Sequence, residues 1–159
     1  MIQMGAIISI NVSESGGVPK LPLKTAIVNY EGVVGDYNKF RMEKKNGDPR
    51  RAVCLFSMER ILQLQKEGHP IDIGTAGENF TIEGMDWSKL EVGMTMRLGA
   101  AKIRLSEPCA PCGKIGTSFI DHSFSRIDHY KKNGWSRWSA SVVEEGIVSV
   151  GDDVELIDS

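Results

Sequence analysis

The sequence predicts a mainly β fold, a strand-rich closed or partly closed barrel with two or three short peripheral helices. Three observations carry that expectation. Short apolar or alternating runs recur along the chain, each bounded by Gly, Pro, Asp or Asn. The 17 glycines fall mostly between those runs, where tight turns need them. Helical periodicity is brief and scattered, which favours a barrel with helices only at its edges.

Strands are expected over 5–12, 23–29, 51–56, 78–83, 94–98, 102–105, 139–143 and 153–157. Residues 98–102, Leu-Gly-Ala-Ala-Lys, read as a hairpin connection. Ser57 suits the cap of a helix whose face carries Met58, Ile61, Leu62 and Gln65, with Gly68 and Pro70 ending it. A second helix is expected from Asp121 or Ser123 to Lys132, striped by Phe124, Ile127 and Tyr130 and followed by Gly134. A single helical turn is expected at Pro111. Residues 90–98 and 148–156 echo each other, each a glycine turn leading into an alternating strand.

With 159 residues and ordinary apolar content, the chain is expected to form one domain over 1–159 with a real core. A net charge of −2 and no run of five basic residues argue against a nucleic-acid partner. No apolar stretch approaches the roughly 20 residues of a membrane helix, and the first ten read as a strand, not a secretory signal. Three cysteines, an odd number, fit a reducing compartment, so a cytoplasmic location is expected.

The chemistry concentrates in residues 102–114, where an alternating strand runs into Pro108-Cys109-Ala110-Pro111-Cys112-Gly113-Lys114. If Pro111 opens a helical turn, the unpaired N–H groups there favour a thiolate at Cys112. A zinc knuckle would need two further ligands, and the chain offers no second Cys pair and no His-x-x-x-His. A thiol–disulfide centre using Cys109 and Cys112 has the right spacing, but the context is not βαβ and no proline follows Pro111. Two small buried hydrophobes on a turn is the plain alternative, and a single working thiolate is the reading kept foremost. Cys54, in an apolar strand, reads as core filling. His69 reads as exposed, and His122 and His129 as capping the second helix. Lys44, Lys45, Arg50 and Arg51 surround Asn46-Gly47-Asp48-Pro49, a solvated loop or an anion clamp. Arg137 lies between Trp135 and Trp138, whose rings read first as core and second as a ligand wall.

Several separated segments together resemble the MOSC domain family, named after the C-terminal part of molybdenum-cofactor sulfurase. They are Gly32-Val33-Val34-Gly35-Asp36, Gly47-Asp48-Pro49-Arg50-Arg51-Ala52-Val53, Gly77-Glu78-Asn79-Phe80-Thr81-Ile82-Glu83-Gly84, Pro111-Cys112, Gly134-Trp135-Ser136-Arg137 and Val150-Gly151-Asp152. The order of the set is specific, and the Gly-Glu-Asn-Phe segment with the later Pro-Cys is its strongest pair.

The resemblance implies a strand-rich barrel that handles the molybdenum cofactor (molybdopterin) or its sulfur. Its functional cysteine matches Cys112, as molybdenum ligand or persulfide carrier, with Cys109 auxiliary. Soft molybdenum prefers sulfur donors, so both uses are chemically sensible. Lys114, Arg126 and Arg137 are then expected to neutralise the pterin phosphate. Asn79 and Thr81 are expected to bind pterin edges, and Arg51 to fix the Gly47 loop. Implied partners are molybdopterin or a small sulfur-bearing ligand, and an electron-donor or sulfur-donor protein. Implied activities are a molybdenum-dependent reductase of N-hydroxylated compounds, a sulfur transferase or a non-catalytic delivery module. At family level, pyridoxal phosphate binding is a further implication. Where relatives often carry histidines, this chain has Tyr37, Asn38, Lys45 and Asn46. The N-terminal β-rich domain of larger amidoxime-reducing relatives is not seen, so catalysis on a bulky substrate is expected either to require a partner or not to occur.

Overall fold

A computed structural model describes residues 4–37, 42 and 46–157. Eleven strands are present among them: β1 (Met4–Val12), β2 (Leu21–Leu23), β3 (Thr25–Asn29), β4 (Gly32–Val33), β5 (Val53–Ser57), β6 (Phe80–Glu83), β7 (Thr95–Leu98), β8 (Ala101–Pro108), β9 (Trp138–Glu144), β10 (Gly146–Ser149) and β11 (Asp153–Ile157). One sheet runs β11-β7-β8-β9-β5-β6-β1-β2, and β11 also pairs with β1. That extra pairing closes seven strands into a barrel, leaving β2 as an appended edge. Strands β10, β3 and β4 form a separate small sheet.

Closure removes the free sheet edges of the seven strands. The interior fills with apolar side chains that alternate inward along the strands, among them Ile7, Leu55, Phe80, Met96, Leu98, Ile103 and Trp138. The two echoing segments are neighbours: β7 and β11 pair antiparallel, with Leu98 opposite Val154 and Met96 opposite Leu156. The expected hairpin is the β7–β8 turn, where Leu98 faces Ala101.

Strand β5 is buried along its whole length because both of its faces are covered. Val53 and Leu55 point into the barrel, and Phe56 points outward into a second core. That core holds Ile61, Leu64, Ile71, Ile115, Phe119, Ile127 and Trp135. It lies beneath helix α1 (Met58–Lys66) and the irregular chain of residues 113–135. The connection through α1 lets β5 and β6 run parallel, as such a crossover must.

Helix α1 starts as its sequence predicts: the Ser57 hydroxyl accepts the Arg60 N–H at 3.2 Å. It ends in a Schellman pair, His69 N–H to the Leu64 carbonyl at 3.1 Å and Gly68 N–H to that of Gln65 at 3.0 Å. Its buried residues are Ile61 and Leu64, whereas Leu62 is exposed.

The expected second helix is not an α-helix. Residues 120–122 and 124–127 form two short 3-10 turns, broken where Asp121 and His122 both take positive φ, near 52° and 55°. Ile127 is buried as the stripe requires, but Tyr130 is 89% exposed. His69 is a correction too. Its ring accepts the Ile120 N–H and meets Phe119 edge-on at 5.3 Å, so it is built into the second core. His129 lies edge-on to Trp138 at 5.9 Å and caps no helix.

Candidate functional site

The C-terminal end of β8, the start of β9, the middle of β5 and the loops at 17–20, 76–77 and 109–115 enclose a cavity of about 280 Å³. All three cysteines line it, as do Lys20, Arg51, Lys114 and Arg137. No carboxylate is among the lining residues that the structure describes. A pocket with four cations, three thiols and no acidic wall suits an anionic, sulfur-seeking ligand.

The strand pairings explain how the thiols meet. Cys54 sits opposite Ser139 across β5 and β9, and Pro108 sits opposite Trp138 across β8 and β9. Beyond β8 the Cys109 N–H still donates to the Arg137 carbonyl, at 2.8 Å. Cys109 therefore turns back over Ser139, its sulfur 3.0 Å from the Ser139 hydroxyl and 4.0 Å from the Cys54 sulfur. The three cysteines are free thiols.

These neighbours divide the two inner thiols. Hydrogen bonding to Cys54 holds the Cys109 pKa down at about 6 against the opposing effect of burial. Arg137, Ser139 and Arg51 lower it further. The same contact, burial and the neighbouring Cys109 charge push Cys54 well up. The surroundings thus favour the proton on Cys54 and the charge on Cys109.

Arg137 is 9% exposed and spans the pocket floor. It donates to the Ala76 carbonyl at 3.0 Å and the Ala110 carbonyl at 3.1 Å, while its buried Nε–H meets no acceptor among the described residues. Gly77, with φ near +82°, supplies the left-handed turn between Ala76 and Glu78.

A buried polar layer supports the pocket from behind. Lys20 Nζ donates to both Asp36 carboxylate oxygens, at 2.6 and 2.8 Å, and Asp36 also accepts from the Ser13 N–H and Asn79 Nδ2. Asn79 takes the Cys54 N–H at 3.0 Å, clamping β5 beside the Glu78–Asn79 turn. Glu78 accepts from Gly74 N–H and Thr81 Oγ1, with its carboxyl pKa raised by burial. Gly74 is required because a Cβ there would lie 2.3 Å from the Lys20 carbonyl oxygen.

Of the residues singled out from sequence, the structure brings Cys112, Arg51, Lys114 and Arg137 to one cavity. Cys112 is exposed at its rim, in extended conformation just ahead of a 3-10 turn (Gly113–Ser118), so it caps that turn instead of lying within it. Arg51 pairs with Glu107 at 2.6 Å. Asn79 and Thr81 are 1% and 0% exposed and lie in the supporting layer. Arg126 is apart from the cavity, stacked 3.8 Å over Trp135 and paired with Glu67 at 2.7 Å. Both tryptophans flanking Arg137 are core residues. Lys44, Lys45 and Asn38 lie outside the described residues.

Sequence reasoning missed Lys20, Ser139 and the part played by Cys54. The parity of β5 held a signal for Cys54, since Val53 and Leu55 facing inward leave Cys54 on the outer face. Lys20 carried none, because only the fold brings it to Asp36.

The barrel fold is already represented among solved structures. The YUAD protein of Bacillus subtilis superposes with a TM-score of 0.76 at 17% identity, covering 100% of this chain and 98% of that one. YiiM of Escherichia coli superposes with a TM-score of 0.72 at 22% identity, covering 98% and 70%. At such identities the likeness concerns the fold. The MOSC domain family model matches residues 42–155, and the chain belongs to that family. Among curated relatives, the uncharacterized protein YflK of B. subtilis is 28% identical over 144 residues, and the protein YiiM of E. coli 30% over 131. Those alignments cover 89% and 79% of this chain but only 63% and 56% of the relatives. The chain thus spans less than two thirds of their length. No helix among the described residues is long and apolar enough to cross a membrane.

Proposed function

We propose that the pocket receives the molybdenum cofactor, or the sulfur it exchanges, with Cys112 as the soft donor at its mouth. The carrying observation is the cavity's composition: thiols beside Arg51, Lys114 and Arg137, with no carboxylate on the described wall. The donor set fits the cofactor. A thiolate suits molybdenum, and the unpartnered buried Nε–H of Arg137 calls for an acceptor such as a phosphate oxygen. When bound, the cofactor supplies two-electron redox chemistry that no side chain offers.

The chain's own residues then have distinct tasks. Arg51, Lys114 and Arg137 hold the anionic end, and Cys112 holds the metal or a sulfane sulfur. Asn79 and Thr81 keep β5 and the Glu78–Asn79 turn in register behind the thiols, so their influence on a ligand is indirect. Arg126 acts only through the packing of Trp135. Free cysteines fit a reducing compartment such as the cytoplasm.

The thiol–disulfide reading keeps one specific support: Cys109 and Cys112 line the same cavity. The test of the leading reading is elemental analysis of protein made in a host that synthesises the cofactor, followed by turnover of an N-hydroxylated base with a reductant. Bound molybdenum with turnover supports a reductase, and bound molybdenum without turnover a delivery module. Neither molybdenum nor sulfane sulfur on the protein contradicts the proposal.

A further inference from the structure

We propose that Cys109 is a second working thiol of this pocket, the nucleophile that takes sulfane sulfur from a small anionic donor. This rests on the sulfur-handling reading above and extends it to a residue and a donor class.

Cys109 lies behind the exposed Cys112, half-buried, in contact with the Ser139 hydroxyl at 3.0 Å and the Cys54 thiol at 4.0 Å. Two groups able to donate a hydrogen bond lie against one sulfur, a setting that favours its anion as apolar surroundings would not. Beside them is Arg137, nine-tenths buried, with an Nε–H that no described atom accepts. Two of its four Nη–H groups, one on each nitrogen, donate to the carbonyls of Ala76 and Ala110. The guanidinium is therefore held in place at both Nη atoms, with its Nε–H among the donors left for a guest. The Cys54 sulfur, 4.0 Å away, is the hydrogen-bonding neighbour on the side of β5.

A small dianionic sulfane donor, of the thiosulfate or polysulfide class, matches this arrangement. Lys114 and Arg51 at the walls favour its charge, and the cavity of about 280 Å³ admits it readily. With thiosulfate, the Cys109 thiolate attacks the outer sulfur and a new S–S bond forms to Cys109. The S–S bond of thiosulfate breaks, and sulfite leaves with the bonding pair, its charge met by the arginine. Cys109 is left as a persulfide, and no external oxidant is involved. With a polysulfide the same attack expels a shorter polysulfide anion.

The test treats wild type, Cys109→Ser and Cys112→Ser with sodium thiosulfate and, separately, with sodium tetrasulfide. After desalting, sulfane sulfur is measured by cyanolysis and located by peptide mass mapping. The expected result is that donor-derived sulfur maps to Cys109 in wild type and still appears there in Cys112→Ser, while Cys109→Ser loses about tenfold of the wild-type uptake. Uptake with only one donor class identifies the donor. Uptake confined to Cys112 overturns this inference and leaves Cys112 as sulfur carrier. No uptake at any cysteine overturns it as well, and the molybdenum analysis of the same wild-type sample then decides the broader reading separately. Circular dichroism checks the fold of each variant, and if Cys109→Ser is misfolded the mapping of wild type decides.

Discussion

Arg137 connects more of the pocket than any other side chain. It is buried by position, yet its charge is retained because Cys109, Cys54, Cys112 and Glu78 raise its pKa against the cost of desolvation. The consequence falls on Cys109. Its pKa is depressed, so the thiolate persists down to about pH 6 and is lost only as the pH falls through that value. The groups facing it are Cys54 from β5, Ser139 from β9, and the arginines Arg137 and Arg51, with Cys112 and Glu78 acting through Arg137. In a Cys112→Ser background, iodoacetamide labelling of Cys109 should reach half its plateau rate near pH 6. A midpoint above about pH 8, the range of an ordinary thiol, would contradict the description of the site. Cysteine spacing alone gave no sign of this division of labour. Cys109 and Cys112 look equivalent as a Cys-x-x-Cys, and only the pairing of β9 with both β5 and β8 sets Cys54 and Ser139 against Cys109.

Elements whose signals are local matched their reading from sequence. The cap at Ser57, the stop at Gly68 and the β7–β8 hairpin follow from propensities and turn chemistry within a few residues. Replacing Ser57 by Ala should lower stability by about 1 kcal/mol, read as a shift of the urea midpoint. An unchanged midpoint would mean that the hydrogen bond to Arg60 N–H adds nothing. Elements shaped by distant contacts did not match. The 3-10 turns of 120–127 carry an apolar stripe that looks helical, but Phe119 and Ile127 are drawn down onto α1, and Asp121 and His122 take left-handed conformations between them. Strand β10 was missed because its pairing with β3 joins residues more than a hundred positions apart. Asn79 illustrates the same limit at the site. Its place in a Gly-Glu-Asn-Phe segment suggested ligand contact, whereas it accepts the Cys54 N–H and donates to Asn11 and Asp36. Asn79→Ala leaves those groups unpaired, and about 2 kcal/mol should be lost on unfolding by urea. A loss below about 0.5 kcal/mol would show that the clamp is not needed.

At the scale of the molecule, the barrel supplies rigidity and the outer layer supplies the pocket. The close approach of β1 to the end of β6 needs Gly5, because a Cβ there would lie 2.2 Å from the Glu83 carbonyl oxygen. Glycine turns and alternating runs announced a closed strand-rich fold, and separated motifs announced the family. Their convergence was not visible along the chain, since Cys54, Cys112 and Arg137 meet at one cavity, with Asp36 and Asn79 in the layer behind it, only through the barrel's pairings. The central claim is that this cavity handles molybdenum cofactor or its sulfur through Cys112. The direct measurement is the molybdenum and sulfane-sulfur content, per chain, of wild type and Cys112→Ala purified side by side from a cofactor-producing host. The account predicts molybdenum or sulfane sulfur on wild type and a loss of about tenfold in the variant, beyond any portion mapped to Cys109. Equal molybdenum and equal sulfur on both proteins would contradict it.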